Sequence, residues 1–168
     1  MRLRRAREAD VAPLLALING YADRGLLLAR SEESLRSRLD DFTVAVGDDG
    51  AIVGCGALTE LGPGLGEVRS LAVREDQAGH GIGHRIVEEL LAEAARRGFD
   101  EVLALTRRPS FFEALGFAVT RRERFLEKLM VDCKACPLNL CCDETAMVRV
   151  PPGREAHEEA AGARSASE

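Results

Sequence analysis

No stretch of this sequence is apolar for long enough to cross a bilayer, so no membrane partner is expected. Positive charge is also short. The formal net charge is -5, which gives no general attraction to nucleic acid or to an anionic surface. Met1-Arg2-Leu3-Arg4-Arg5 opens with charge, but no long apolar segment follows, so it does not read as a signal peptide. The expected compartment is the cytoplasm, where the five cysteines are expected as thiols or metal ligands rather than disulfides. No internal repeat is visible.

What is present suits one soluble domain. The chain has 168 residues, 46% hydrophobic and 30% charged, enough to bury a real core. After Asp10, an expected N-cap, Val11, Leu14, Leu15, Ile18 and Tyr21 recur at helical spacing. A second helix is predicted from Ser31, with Leu35 and Leu39 as its buried stripe. Phe42 to Val46 and Ile52 to Leu58 read as strands joined at Asp48-Asp49-Gly50. Glu67 to Val73 reads as another strand, with Glu67, Arg69, Leu71 and Val73 expected on one face. The longest helix carries Ile82, Ile86, Leu90 and Ala94 as one stripe, flanked by Val87 and Leu91, and should end at Arg96-Arg97-Gly98. Val102 to Thr106 is apolar throughout and predicted central. Pro109 opens a short helix through Leu115. Phe117 then starts a last hairpin strand, paired with Thr145 to Val150. The fold class is therefore α/β, a mixed central sheet flanked by helices. Residues 1–150 form the domain, and 151–168 read as a disordered tail.

One turn carries a chemical implication. A strand ending at Val73 leads through a polar loop to Gly79-His80-Gly81-Ile82-Gly83, and a helix follows at once. A helix start offers unpaired N–H groups and the positive end of the dipole. Glycines let a ligand approach the backbone. Together these favour a phosphate. The dinucleotide pattern fails because His84 occupies its last glycine position, and a P-loop fails for want of Gly-Lys-Ser/Thr. Alone, the turn is equally a helix N-terminus with convenient glycines.

Its neighbourhood resembles the GNAT superfamily of N-acetyltransferases. Leu71-Ala72-Val73 precedes the turn as in that family's motif A, and Gly81 and Gly83 fill its glycine positions. The Gln/Arg position of the motif falls on Ala78, with Gln77 one residue early. Phe112-Glu113-Ala114-Leu115-Gly116-Phe117 resembles motif B. The resemblance covers about residues 1–150 and implies the GNAT fold and acetyl-CoA as cosubstrate. It implies cofactor contacts at Leu71, Ala72, Val73, Gly79, His80, Gly81, Ile82, Gly83, Ser110 and Phe112. His80 is expected exposed or near phosphate, and His84 at the surface.

Within that superfamily the chain is most similar to the acetyltransferase domain of N-acetylglutamate synthases. The likeness lies in Gly25 to Ser31, Gly66 to Val73, and Leu103 to Thr106 followed by Phe111-Phe112. It implies an amino-acid substrate, with glutamate favoured. Arg30 would hold a carboxylate, and the backbones of Leu28 and Ser70 would line the same site. Guanidinium suits that role because it pairs bidentately with carboxylate. An Arg exposed before a helix N-cap is the bland alternative. Glu67 is the candidate base, because the attacking amine is mostly ammonium at neutral pH and must lose a proton. An ordinary strand carboxylate in an ion pair is its alternative. Where many members have a motif B tyrosine this chain has Phe112, so Thr106, with Ser110 behind it, is the candidate donor. Thr106 is equally a strand-end hydroxyl. Other small amines, a protein N-terminus, and a non-catalytic acyl-CoA or metal sensor remain competing readings. Homodimers are common in the superfamily, and the sequence leaves that open.

Cys133-Lys134-Ala135-Cys136 and Cys141-Cys142 complete the inventory. C-x-x-C suits tetrahedral zinc. A second C-x-x-C is absent, and adjacent cysteines share one ion poorly, so the reading favours thiols and assigns no metal. Isolated Cys55 is expected in the core.

Overall fold

The computed structural model describes residues 1–125 and 143–154. The cysteine cluster and residues 155–168 of the expected tail lie outside these residues. Seven strands form one sheet in the order β1-β2-β3-β4-β5-β7-β6. They are β1 (Arg2–Arg5), β2 (Phe42–Val46), β3 (Ile52–Gly62), β4 (Leu65–Val73), β5 (Glu101–Thr106), β6 (Ala118–Val119) and β7 (Thr145–Arg149). Every pairing is antiparallel except β4 with β5. A parallel pair needs a crossover, and the helix α3 (Ile82–Arg96) supplies it. The mixed sheet flanked by helices agrees with the sequence reading. Among the described residues no helix is long and apolar enough to cross a membrane.

Helix α3 forms where its stripe predicts. Ile82, Ile86, Val87, Leu90, Leu91 and Ala94 are all buried. They pack with Val68, Val102, Ala104 and Met147 on one face of the sheet, where α4 (Pro109–Glu113) adds Phe112. Burial of each large aliphatic chain contributes about 1.5–3 kcal/mol. On the opposite face, α1 (Val11–Ala22) and α2 (Glu32–Ser37) supply Val11, Leu14, Ile18 and Leu35, which pack with Phe42, Val44, Cys55, Ala57 and Ala72. Ser31 caps α2 as expected, its hydroxyl accepting from the Ser34 N–H at 3.1 Å.

Two expectations change. Asp10 occupies the N-cap position of α1, but its own backbone is helical and its side chain makes no capping bond to the helix. Its carboxylate instead accepts from Arg4 Nη1 and Nη2 at 2.6 and 3.0 Å and from the Arg7 N–H at 2.7 Å. A nearby guanidinium outcompetes a helix start for a buried carboxylate. The last hairpin pairs as expected, β6 antiparallel to β7, with β7 between β5 and β6 in the sheet. Second, β4 does not keep one side-chain parity. Cys55 faces Ala72 and Ala57 faces Arg69, so β4 holds one residue more than β3 across this stretch. The extra residue is a bulge at Ser70, whose φ is +50°. Leu71 and Val73 therefore pack on the α3 face with Val68, while Glu67 and Arg69, joined by an ion pair, take the other.

Past the expected boundary at Val150 the chain stays on the body. Pro151 is buried, and Arg154 reaches Asp100 Oδ1 and the Gly98 carbonyl, both at 2.7 Å.

Candidate active site

The two parallel strands part at their C-terminal ends. Pairing of β4 with β5 runs from Leu65↔Glu101 to Val68↔Ala104. Beyond it β4 continues to Val73 and β5 to Thr106. On their outer sides both remain paired, β4 to β3 and β5 to β7. A cleft thus opens between them at the carboxyl ends of parallel strands, a common location for a ligand in such sheets.

The glycine turn forms one end of this cleft. Gly79 and Gly81 have φ of +80° and +74°, which other residues adopt only at a cost. A Cβ added at either would meet no protein atom within 4 Å. Gly81 is the N-cap of α3, and no side chain caps it. The first-turn N–H groups therefore face open space at the positive end of a fifteen-residue helix. This open, uncapped cradle fits a pyrophosphate. Ala78 brings no functional group, and its N–H is spent on the Glu75 carbonyl at 3.1 Å. His80 is exposed, with Nδ1 3.1 Å from the Gln77 carbonyl. His84 is not simply at the surface: it is half-buried, its ring 4.7 Å from that of Phe111.

Phe111 entered the sequence reading only as half of the Phe111-Phe112 pair, with no site role assigned to it. A Cβ at Gly83 would lie 3.3 Å from its ring, so Phe111 closes over the start of α3. Phe112 is buried in the core, edge-on to both Phe111 and Phe117. Periodicity alone does not tell which of two adjacent phenylalanines faces inward on a five-residue helix. Ser110 is exposed on α4.

On the α1 and α2 face, two residues distant in the chain meet. Arg30 Nε donates to Ser70 Oγ at 2.9 Å, and its guanidinium carbon lies 5.5 Å from the centre of the Phe42 ring. The Ser70 carbonyl accepts from the Cys55 thiol at 3.4 Å. Cys55 is wholly buried, and loss of solvation pushes its pKa up to about 12, so it remains a thiol. Leu28 is 56% exposed, beside Arg30 in sequence. Glu67 is buried on β4 one residue pair before the cleft, opposite Thr59 on β3 and Leu103 on β5. Arg69 holds its carboxylate.

Thr106 is buried at the far wall of the cleft. Its Oγ1 accepts from the Arg108 N–H at 2.8 Å, which closes the strand end. By alternation from Val102 and Ala104 it takes the α3 face, opposite the face of Glu67. The cleft thus joins three groups from different elements: the glycine turn on one face, Arg30 with Ser70 and Glu67 on the other, and Thr106 across the gap.

Comparison with known proteins identifies the family and the fold. The model of the acetyltransferase (GNAT) family matches residues 14–118. An uncharacterized N-acetyltransferase of Chlorobaculum tepidum is 38% identical over 147 residues, 88% of this chain and 94% of that protein. An amino-acid acetyltransferase of Mycobacterium tuberculosis is 41% identical over 117 residues, 68% of this chain and 67% of that protein. The crystal structure of N-acetylglutamate synthase from Neisseria gonorrhoeae, complexed with coenzyme A and N-acetyl-glutamate, superposes with a TM-score of 0.80 at 26% identity. It matches 89% of this chain, which spans only 35% of that longer one. The chain belongs to the GNAT family of acetyltransferases.

Proposed function

From that membership, we propose that the protein transfers the acetyl group of acetyl-CoA to the α-amino group of L-glutamate. The observation that carries the choice of amine is the Arg30–Ser70 contact beside the cleft. A dicarboxylic amino acid needs a cationic clamp, and guanidinium provides one with fixed geometry. Relatives named for amino-acid acetylation, and a structural neighbour complexed with N-acetyl-glutamate, support the same choice.

In this reading the glycine turn holds the pyrophosphate through main-chain N–H groups of Gly79 to Gly83, and the backbone from Leu71 to Val73 lies along the rest of the cosubstrate. Acetyl-CoA supplies the thioester. Glu67 takes a proton from the ammonium of the acceptor, directly or through a water. The freed amine attacks the thioester carbonyl, a C–N bond forms, and the oxyanion is met by N–H groups near Leu71 and Val73. The C–S bond then breaks as the nitrogen gives up its second proton, to the departing sulfur or to water, and the amide and free coenzyme A result. Thiolate is a good leaving group, so a donor is helpful rather than required, and Thr106 is the residue to test for it.

The decisive assay follows free thiol release from acetyl-CoA with a panel of amino acids, in wild type and in Arg30→Ala. Glutamate should be the best acceptor, and Arg30→Ala should raise its KM strongly while acetyl-CoA still binds. Turnover with another amine but not glutamate would keep the fold and the cofactor and remove the acceptor. Cofactor binding without any turnover would favour an acyl-CoA sensor.

A further inference from the structure

The segment that carries Arg30 has little burial to hold it. Between α1 and α2 the chain passes Gly25 at φ +70°, and Leu26 and Leu28 are 52% and 56% exposed. Only Leu27 packs against the α1-side core. Polar ties do the holding. At the near end Arg107 Nη1 donates to the Gly25 carbonyl at 2.8 Å. At the far end the side chain of Asn19 pairs with the backbone of Arg30 itself. The Arg30 N–H donates to Asn19 Oδ1 at 2.9 Å, and Asn19 Nδ2 donates to the Arg30 carbonyl at 3.0 Å.

This reciprocal pair satisfies both main-chain groups of one residue with one amide. Asn is the side chain of that length that offers a donor and an acceptor side by side. It is also a poor choice for the interior of α1 on helix propensity alone. Its cost to the helix is offset by what it does to the loop. With its backbone fixed to α1, the side chain of Arg30 starts from a defined point and runs over Phe42 to the Ser70 hydroxyl. An arginine on an unpinned loop must give up much more backbone and rotamer freedom when it clamps a ligand.

We propose that Asn19 is a positioning residue for the acceptor site: its amide locks the main chain of Arg30 so that the guanidinium is pre-oriented toward the carboxylate of the incoming amino acid. This rests on the assignment of Arg30 to the acceptor. Asn19 does not touch the substrate. Its effect is on the freedom Arg30 has before the substrate arrives.

The test uses the full chain with Asn19→Ala, Asn19→Asp and Arg30→Ala. Alanine favours a helix interior, so Asn19→Ala should fold with α1 intact. Its KM for glutamate should rise about ten-fold, the effect of losing two neutral hydrogen bonds of pre-organisation. Its kcat and its KM for acetyl-CoA should stay within about two-fold of wild type. Asn19→Asp keeps the acceptor for the Arg30 N–H but sets a carboxylate against the Arg30 carbonyl, so it should not restore the glutamate KM. Amide hydrogen exchange at Arg30 should quicken about ten-fold or more in Asn19→Ala, with or without substrate. An unchanged glutamate KM in Asn19→Ala, with Arg30→Ala impaired, overturns the proposal and leaves the acceptor assignment standing. So does a parallel loss in kcat and in acetyl-CoA KM, which marks general damage, or unchanged exchange at Arg30. Glutamate kinetics unaltered in Arg30→Ala overturn the assignment itself, and the role of Asn19 with it.

Discussion

Arg30 and Ser70 stand forty positions apart in the chain, yet Nε of one donates to Oγ of the other at 2.9 Å. Ser70 reaches that position only because its backbone is left-handed, the sole described non-glycine residue with positive φ. The bulge it creates turns the rest of β4 over by one residue. Leu71 and Val73 are thereby directed away from the face that holds Arg30 and Glu67.

This strain can be measured. Ser70→Gly should hold or raise stability, because glycine takes positive φ without a Cβ clash. Ser70→Val, β-branched at the same φ, should lose about 1–3 kcal/mol. Urea midpoints compare them. Both variants remove the hydroxyl from Arg30, so both should weaken glutamate binding. Equal midpoints would mean that the bulge stores no strain.

Glu67 lies buried with Arg69 at its carboxylate, one pair of residues before β4 and β5 separate. As the base, Glu67→Gln should lower turnover about 10²–10⁴-fold. The loss should be greatest at low pH, where little of the amine is already free. Thiol release measured across pH decides it. A profile parallel to wild type would remove Glu67 from proton transfer.

The glycine turn separates two kinds of glycine. Gly81→Ala meets no protein atom, so the fold should lose only the left-handed penalty, about 1–2 kcal/mol. The added methyl enters the space assigned to phosphate, and the acetyl-CoA KM should rise about ten-fold or more with glutamate KM unchanged. Gly66→Ala is the control: its Cβ would sit 2.6 Å from the Phe99 ring, costing about 1–3 kcal/mol in stability. If Gly81→Ala binds acetyl-CoA as wild type does, the cradle is elsewhere.

Arg4 beside Asp10 holds its carboxyl below the usual carboxylate range. A lowered folded pKa adds stability above the ordinary value near 4, and that stability is lost as pH falls through the folded value. Asp10→Asn should therefore be about 1–3 kcal/mol less stable at pH 7, since it leaves the guanidinium of Arg4 without its charged partner. The gap between the two proteins should narrow as pH falls below the ordinary carboxylate value. Thermal melts at pH 7 and at successively lower pH test this. A constant gap would mean that the charge of Asp10 contributes nothing.

Much of the fold was legible because periodicity reports burial directly. The stripe of Ile82, Ile86, Leu90 and Ala94 could face only a core, and each member is buried. The turn at Asp48-Asp49-Gly50 and the N-cap at Ser31 depend on neighbours only, and local chemistry suffices to read them. The glycine turn was legible for the same reason: a helix start and its free N–H groups are properties of a few consecutive residues.

What sequence could not decide is what depends on residues far apart. Asp10 looks like a cap until Arg4 folds beside it. Phe112 and Phe111 are interchangeable until α3 places Gly83 under one of them. Alternation along β4 predicts one face for Glu67 and Leu71, and a single left-handed residue defeats it. Asn19 carries no motif at all, because its role consists of two bonds to a loop eleven residues on. The sequence by itself determined the elements, the helix-start cradle and the family pattern, all of which are local. Tertiary structure decided the parting of β4 from β5, the side-chain parity past Ser70 and the placing of Arg30. Those follow from packing and hydrogen bonds that form only when distant segments meet.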